Sequence, residues 1–462
     1  MSSYSMKELQ EWNERIEEIA HKEDLNYYPQ EFEIISHDDM IGYEAYIGMP
    51  SHYPHWSFGK AYERAKTLNK YNLQGLPYEM VINSNPCLAY LMKDNTLLLQ
   101  ILTIAHVYGH NDFFKNNRLF KKGTRAEYTI EMFKNQANRA REYINDPSIG
   151  YRKVERILDA AHALKYQTRR VIGEKRLSYE EERKHIIERH QKPNDEYRLL
   201  RWKGEKTEDE LIDIGKIPPI PEEDLLGFLK QYAPLQEWER DLISIVMEES
   251  QYFLPQIETK IMNEGWASFW HYTLLNKLNL DQGLHLEFLK RHNQVIRPFV
   301  GQINPYYVGF KIFEDLKNRY GMEKIFEVRE VERDQSFLLR YLTYDLCNEL
   351  NLFEYKKSGN EYIVSEVSDE EGWKQTRNSL ALSVGLGGMP TIRITEMVKK
   401  DNMIVLEHEY DGRELELNYA YETIKYFVEL WGGKVILTTF LEGTKKVITC
   451  DENKKITMSN YS

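Results

Sequence analysis

The chain has 462 residues, of which 42% are hydrophobic and 13% aromatic, a composition typical of a folded protein rather than a disordered one. A formal net charge of −12 argues against nucleic acid as a partner. Only three cysteines occur, none in a C-x-x-C pair, and the sequence shows neither an apolar signal core nor an apolar run of membrane-spanning length. We therefore expect a cytoplasmic protein with no disulfide framework and no membrane span.

The sequence before residue 100 mixes helical and extended patterns. Apolar residues from Leu9 to Ile19 recur at helical spacing and predict an amphipathic first helix. The aromatic, Gly- and Pro-containing residues 41–60 are typical of a packed loop. Residues 78–83 read YEMVIN and predict a short strand, which the following SNPC ends.

The next segment is the most apolar of the chain and contains two histidines. Capping residues that end at Thr96 precede the run LLLQILTIAHVYGH, which predicts a helix buried on most faces. His106 and His110 are spaced i, i+4, so both rings share one face. A buried imidazole needs a hydrogen bond or a metal, because an unsatisfied buried polar group costs about 1–3 kcal/mol.

A second run, ETKIMNEGWASFWHYTLL over residues 258–275, supplies a carboxylate in an aromatic setting. Glu264 and His271 are spaced i, i+7 and share a face. Together with His106 and His110, Glu264 completes a ligand set typical of a catalytic zinc with one position open to water, and iron or manganese would also accept it. The alternative is a structural hydrogen-bond network in a helical core.

This pattern approaches the zincin motif H-E-x-x-H but lacks its general base. Val107 stands where a zincin has the catalytic Glu, and a valine cannot accept a proton. Candidate bases elsewhere are Asp112, Glu79, Glu249 and the pair Glu155 and Asp159. His271 or Asp112 would orient a ligand or transfer protons, while Glu155 and Asp159 would reach the same centre from a third helix over residues 151–165.

The remaining sequence predicts an insert and a change of fold class. The charged residues 173–222 indicate a solvated insert or lid with a proline-rich exit. Helical patterns then continue to residue 350, and the strand–helix–strand–strand–helix–strand order beyond residue 355 is typical of a ferredoxin-like unit. We expect an α+β protein with a mainly helical domain over 1–350, which contains zincin-like metal-site helices. A small α+β module over 355–462 would serve regulation or interaction.

Several long motifs resemble one known family. They are HWSFGK (55–60), YEMVINSNPCLAY (78–90), AHVYGHNDFFKNN (105–117), YFLPQIETKIMNEGWASFWH (252–271) and INPYYVGFKIFEDL (303–316). In these motifs, and over most of its length from about residue 10, the chain resembles the stage V sporulation protein R family. The resemblance implies a role in forming the spore cortex peptidoglycan. It matches at His106, His110, Asp112, Glu264 and His271, and it makes Val107 a family property.

Two functions of different classes follow. The first is a metal-dependent hydrolase that acts on a cell-wall-related substrate, with a divalent ion held by His106, His110 and Glu264. The second is a non-enzymatic scaffold or regulator that binds a sporulation protein and whose site is structural. An open ligand position favours the enzyme, and a sealed site with four protein ligands favours the scaffold.

Overall fold

The computed structural model describes residues 4–71, 79–172, 215–298, 303–352, 355–358, 361–364 and 370–461, with a few positions between 181 and 188. The chain is an α+β protein, mainly helical in its N-terminal region and with a small sheet near its C-terminus. Most of the charged insert predicted over 173–222 lies outside the described residues. No described helix is both long and apolar enough to cross a membrane.

The first part of the chain combines helices with a three-stranded sheet. Its elements are α1 (Met6–Lys22), β1 (Gln30–Ile35), α2 (His37–Ala45), α3 (Trp56–Lys70), β2 (Glu79–Ile82), β3 (Cys87–Met92), α4 (Leu97–Asn116), α5 (Arg118–Gly123), α6 (Thr129–Asn145) and α7 (Tyr151–Leu164). Strand β3 lies between β1, to which it is parallel, and β2, to which it is antiparallel. The sheet places the start of β2 beside helix α4.

Several local predictions for this part are confirmed, and one is wrong. The first helix, the strand within 78–83 and the buried helix after Thr96 occur as predicted. Residues 41–60 are not one packed loop, because α2 extends to Ala45 and α3 begins at Trp56. The side chain of His55 accepts a hydrogen bond from the Ser57 backbone N–H and caps α3. The sequence pattern did not predict this role.

The central part of the chain is helical. Its elements are α8 (Leu225–Tyr232), α9 (Glu237–Glu258), α10 (Lys260–Lys277), α11 (Gln282–Val295), α12 (Pro305–Tyr320), α13 (Met322–Val331), α14 (Asp334–Tyr341) and α15 (Tyr344–Glu349). The helical pattern expected up to residue 350 ends in two short helices, α14 and α15, because the chain is extended at Leu342 and Thr343 and the Thr343 side chain caps α15.

The C-terminal elements form a hairpin and a five-stranded sheet. They are β4 (Tyr355–Ser358), β5 (Glu361–Val364), α16 (Glu370–Ser383), β6 (Ile392–Val398), β7 (Met403–His408), α17 (Leu417–Trp431), β8 (Lys434–Leu441), β9 (Thr444–Cys450) and β10 (Ile456–Asn460). The ferredoxin-like topology is wrong. Strand β5 pairs with β4 alone, and the sheet order is β10-β9-β8-β7-β6. Helix α17 joins β7 to its direct parallel neighbour β8, so no strand lies between them as a split βαβ unit requires.

The contacts within the chain define two compact units, each built from two segments. The first comprises residues 1–141 and 251–388, and the second comprises 142–250 and 389–462. The second unit therefore takes residues from both sides of residue 350. A domain boundary at 350–355 stays a prediction, which truncation after residue 352 would test.

Helix α10 lies at the centre of the first unit and touches its neighbours backbone to backbone. A Cβ atom placed on Gly265 would lie 2.3 Å from the Cα of Gly309 in α12. A Cβ on Gly109 of α4 would lie 2.7 Å from the Cα of Ala267 in α10. Both distances are far below van der Waals contact, so these positions accept only glycine without movement of a helix.

Replacement of Gly265 should therefore destabilise the first unit. We expect Gly265→Ala to lower the unfolding free energy by at least about 1–3 kcal/mol, the cost of overpacking a core. Gly59→Ala is the matched control, because nothing lies within 4 Å of its added Cβ in helix α3. That control should be neutral or stabilising by up to about 1 kcal/mol. Equal denaturation midpoints for the two variants would contradict the close helix contact.

Candidate metal centre

The two histidines of α4 are held in a helix that is buried along almost its whole length. The Thr96 side chain accepts a hydrogen bond from the Leu99 backbone N–H and starts the helix. The rings of His106 and His110 meet edge to face, with centroids 4.6 Å apart. One turn of buried helix therefore directs two imidazoles to the same side of α4, as their spacing predicts.

Glu264 of α10 approaches both histidines. Its Oε2 atom lies 3.6 Å from the Nε2 of His110 and 3.9 Å from the Nε2 of His106. These separations are too long for hydrogen bonds. Oε2 of Glu264 and Nε2 of His106 are buried and have no hydrogen-bond partner among the described residues. Two buried polar atoms without hydrogen-bond partners therefore face one another.

Glu79, the first residue of β2, adds a second carboxylate. Its Oε1 atom lies 3.9 Å from the Nε2 of His106. Ligand atoms of Glu79, His106 and His110 all lie within 4.8 Å of one another, close enough to share one metal ion. The sequence pattern named Glu79 only as a candidate base. Its place beside the histidines depends on the pairing of β2 with β3, which no local pattern in the sequence specifies.

The Nδ1 atoms of His106 and His110 each contact a further side chain. Nδ1 of His110 lies 2.9 Å from Oδ1 of Asn263. Since an amide oxygen only accepts, His110 donates from Nδ1 and keeps the lone pair of Nε2 free. Nδ1 of His106 lies 2.9 Å from Nδ1 of His271, whose Nε2 lies 2.8 Å from Nδ1 of His292. His271 therefore lies one contact away from the centre.

The electrostatics of the site place His110 and Glu264 in the protonation states that a metal requires. Burial, reinforced by the charge of His106, lowers the pKa of His110 to about 4. Burial raises the pKa of Glu264, but the two histidines outweigh it and hold the pKa below its ordinary value. Burial raises the pKa of Glu79, with the charge of Glu264 acting in the same direction and His106 opposing both. At neutral pH His110 is thus neutral and Glu264 is ionised. Glu79 binds a proton more readily than an ordinary glutamate does.

Tyr306 also contacts the two candidate ligands His106 and Glu264, although the sequence pattern assigned it no role. It lies in the first turn of α12, after Asn304, whose side chain accepts a hydrogen bond from the Tyr306 backbone N–H. Its ring stacks on that of His106 with centroids 6.1 Å apart. The charge of Glu264, burial and a hydrogen bond with Glu264 raise its pKa well above the usual range. Tyr306 is therefore a neutral hydrogen-bond donor at the site.

Asp112 makes its contacts away from the histidines. The completely buried carboxylate accepts hydrogen bonds from the Asn26 backbone N–H and the Trp266 indole N–H. It also forms an ion pair with Arg329 at 3.4 Å. These contacts connect α4 to the segment after α1, to α10 and to α13, which favours a structural role. A catalytic role for Asp112 stays a prediction.

Glu155 and Asp159 belong to the second unit, whereas the histidines belong to the first. Both are half-buried on α7, and Glu155 accepts a hydrogen bond from the Tyr151 hydroxyl. Glu249 also belongs to the second unit. Catalytic roles for these carboxylates stay predictions.

Comparison with known proteins identifies relatives of the whole chain. The family model described as "SpoVR like protein" matches residues 3–389, and that described as "SpoVR-like C-terminal domain" matches residues 390–442. The chain is 35% identical over 465 aligned residues to "Uncharacterized protein YcgB" of Escherichia coli (strain K12), with 91% of this chain and 90% of the relative covered. No solved structure matches. The family resemblance seen in the sequence motifs is confirmed.

The contacts of Asp112 predict a large effect on stability. Asp112→Asn leaves the buried Arg329 without its counter-ion, so we expect a loss of about 3–5 kcal/mol in unfolding free energy. Asp94→Asn, an exposed acid in the turn before α4, should change it by less than about 0.5 kcal/mol. Chemical denaturation measures both. An Asp112→Asn protein with the stability of the wild type would rule out the structural role.

Proposed function

The chain belongs to the SpoVR-like family, and we propose that it is a divalent-metal-dependent hydrolase whose ion is held by His106, His110 and Glu264. One observation carries the proposal. Nε2 of His106 and Oε2 of Glu264 are buried, face each other at 3.9 Å and lack partners among the described residues. A bound cation would satisfy both atoms, and leaving each unsatisfied costs about 1–3 kcal/mol.

The distances fit an ion. Metal bonds of about 2.0–2.2 Å in a tetrahedron separate neighbouring ligand atoms by about 3.3–3.6 Å. The Oε2 atom of Glu264 lies 3.6 Å from His110 and 3.9 Å from His106, so small side-chain movements would close the site. Imidazole nitrogens with carboxylate oxygens suit zinc, and iron or manganese accept the same donors.

Glu79 is proposed as the general base that Val107 cannot supply. Its side chain is 17% exposed and that of Glu264 is 19% exposed, against 4% for His106 and 8% for His110. The carboxylates therefore lie on the accessible side of the site, where water and substrate would enter. The raised pKa of Glu79 brings it nearer to neutrality, which suits proton transfer at physiological pH.

Each residue of the site would have a distinct role in the proposed hydrolysis. A bound divalent ion would polarise the scissile group and acidify water. Glu79 would accept the proton of the attacking water and return it to the leaving group. Tyr306 would donate a hydrogen bond to the oxygen on which negative charge develops. Asn263 and His271 would hold the His110 and His106 rings through their Nδ1 atoms.

The substrate class follows from the family resemblance alone. Stage V sporulation protein R is linked to the spore cortex, so we propose a cell-wall-related substrate such as a peptidoglycan fragment or precursor. A second candidate function, a structural metal site in a sporulation scaffold, is favoured by the presence of a fourth donor. If Glu79 binds the ion, then Glu79, His106, His110 and Glu264 close the tetrahedron and leave no position open.

The metal site predicts a defined stoichiometry. We expect the protein to bind one divalent ion per chain, and His106→Ala and His110→Ala each to abolish binding, because each removes a ligand. His285→Ala is the matched control, since His285 lies on α11 and makes no described contact with the site. Mass-spectrometric metal analysis after dialysis against Zn²⁺ measures the content. Equal metal in the His106→Ala and wild-type proteins would disprove the site.

The Glu79→Gln variant distinguishes a catalytic metal site from a structural one. As a base, Glu79 can be replaced by Gln without loss of the ion, and release of soluble fragments from purified peptidoglycan should fall by about 10²–10⁴-fold. Glu33→Gln, on the exposed side of β1, should leave both metal and activity unchanged. Loss of metal from Glu79→Gln would instead make Glu79 a ligand and favour the structural site.

A further inference from the structure

Behind the metal centre, three buried imidazoles form a continuous chain. Nδ1 of His106 lies 2.9 Å from Nδ1 of His271, and Nε2 of His271 lies 2.8 Å from Nδ1 of His292. His271 is fully buried and His292 is 3% exposed. His292 comes from a different helix, α11, and the proposed hydrolysis assigns it no task. Because the three rings are joined through their ring nitrogens, the position of the hydrogen on one ring determines its position on the other two.

A neutral imidazole has one N–H and one lone pair, so only two arrangements of the chain satisfy both contacts. In the first, His106 donates from Nδ1 to His271, and His271 donates from Nε2 to His292. The lone pair of His106 then lies on Nε2 and faces the carboxylates. In the second, every hydrogen bond runs the other way, and the His106 hydrogen lies on Nε2, where it excludes a metal.

The surroundings of His292 keep its ring neutral and in place, as the acceptor role requires. Its ring is held against Tyr272, with centroids 4.6 Å apart, and against Phe310 at 5.1 Å. Burial, together with the charges of His106 and Lys311, lowers its pKa to about 4, so the ring is neutral at pH 7 and Nδ1 can accept. An aromatic enclosure also prevents the ring from turning away from His271.

We propose that His292 is a positioning residue of the metal centre: by accepting a hydrogen bond from His271, it holds His106 in the tautomer whose Nε2 lone pair faces the ion. The inference rests on the proposed metal site. His292 contacts neither the ion position nor a substrate, and it acts only through His271. Its chemical requirement is an acceptor at the position of Nδ1, not a second imidazole.

Zn²⁺ affinity of the full-length protein, measured by competition with a fluorescent chelator, tests the proposal. We expect His292→Leu, which removes the acceptor but fills the space, to weaken binding by about 10–100-fold. His292→Gln places a carbonyl acceptor there and should restore most of the affinity. His285→Leu on the same helix should bind as the wild type does.

The possible outcomes distinguish a missing metal site from a metal site that does not depend on His292. If the wild type binds no Zn²⁺, both the proposed function and this inference fail. If the wild type binds Zn²⁺ and His292→Leu binds it equally, only the inference fails. If His292→Gln is as weak as His292→Leu, the effect is one of packing and the inference also fails.

A measurement on the unaltered protein avoids any question of misfolded variants. Nitrogen-15 shifts of histidine report which ring nitrogen has the hydrogen. In the Zn²⁺-loaded wild type we expect His271 and His292 both to have it on Nε2, with resonances assigned by their loss in His292→Gln and His271→Gln. An Nδ1–H tautomer at His271 would overturn the proposal, whatever the affinities of the variants.

Discussion

The direct contact of helix α10 with α4 and α12 is the constraint on which the site depends. A side chain larger than hydrogen at Gly109, Gly265 or Gly309 would push these helices apart. The candidate ligands are neighbours of these glycines in sequence, since His110 follows Gly109 and Glu264 precedes Gly265. The spacing between imidazole and carboxylate is therefore set by backbone contact, which side-chain rotation alone cannot change.

A core this tightly packed makes every unpaired polar atom costly, and most of its buried carboxylates are paired. Asp334 accepts hydrogen bonds from the backbone N–H groups of Ile261 and Met262 at the start of α10. Asp112 accepts from Trp266 and has Arg329 as its counter-ion. Glu264 differs, because its Oε2 atom has no partner among the described residues. The contrast within one core is the physical reason to place a cation there.

The proposed base, Glu79, would come from a different element than the base of a zincin. A zincin places its base on the histidine helix, directly after the first ligand. Here Val107 is completely buried, and the carboxylate that reaches the centre comes from strand β2. Oε1 of Glu79 lies 3.9 Å from Nε2 of His106, and Nδ1 of the same ring contacts His271. The i, i+4 spacing of the two histidines is the one feature of the zincin motif that this sequence keeps.

The sequence by itself determined the local features of this protein. The capped apolar helix, the i, i+4 histidines and the glutamate on an aromatic helix follow from periodicity and capping, which act within a few residues. The family was also recognisable, because its motifs are contiguous. Only the tertiary structure decided the rest: the approach of Glu79, the stacking of Tyr306 and the contact of His271 with His292 each join segments far apart in the chain. The sheet order differed from the expected one for the same reason, since strand pairing depends on which distant strands meet, and no local pattern specifies that.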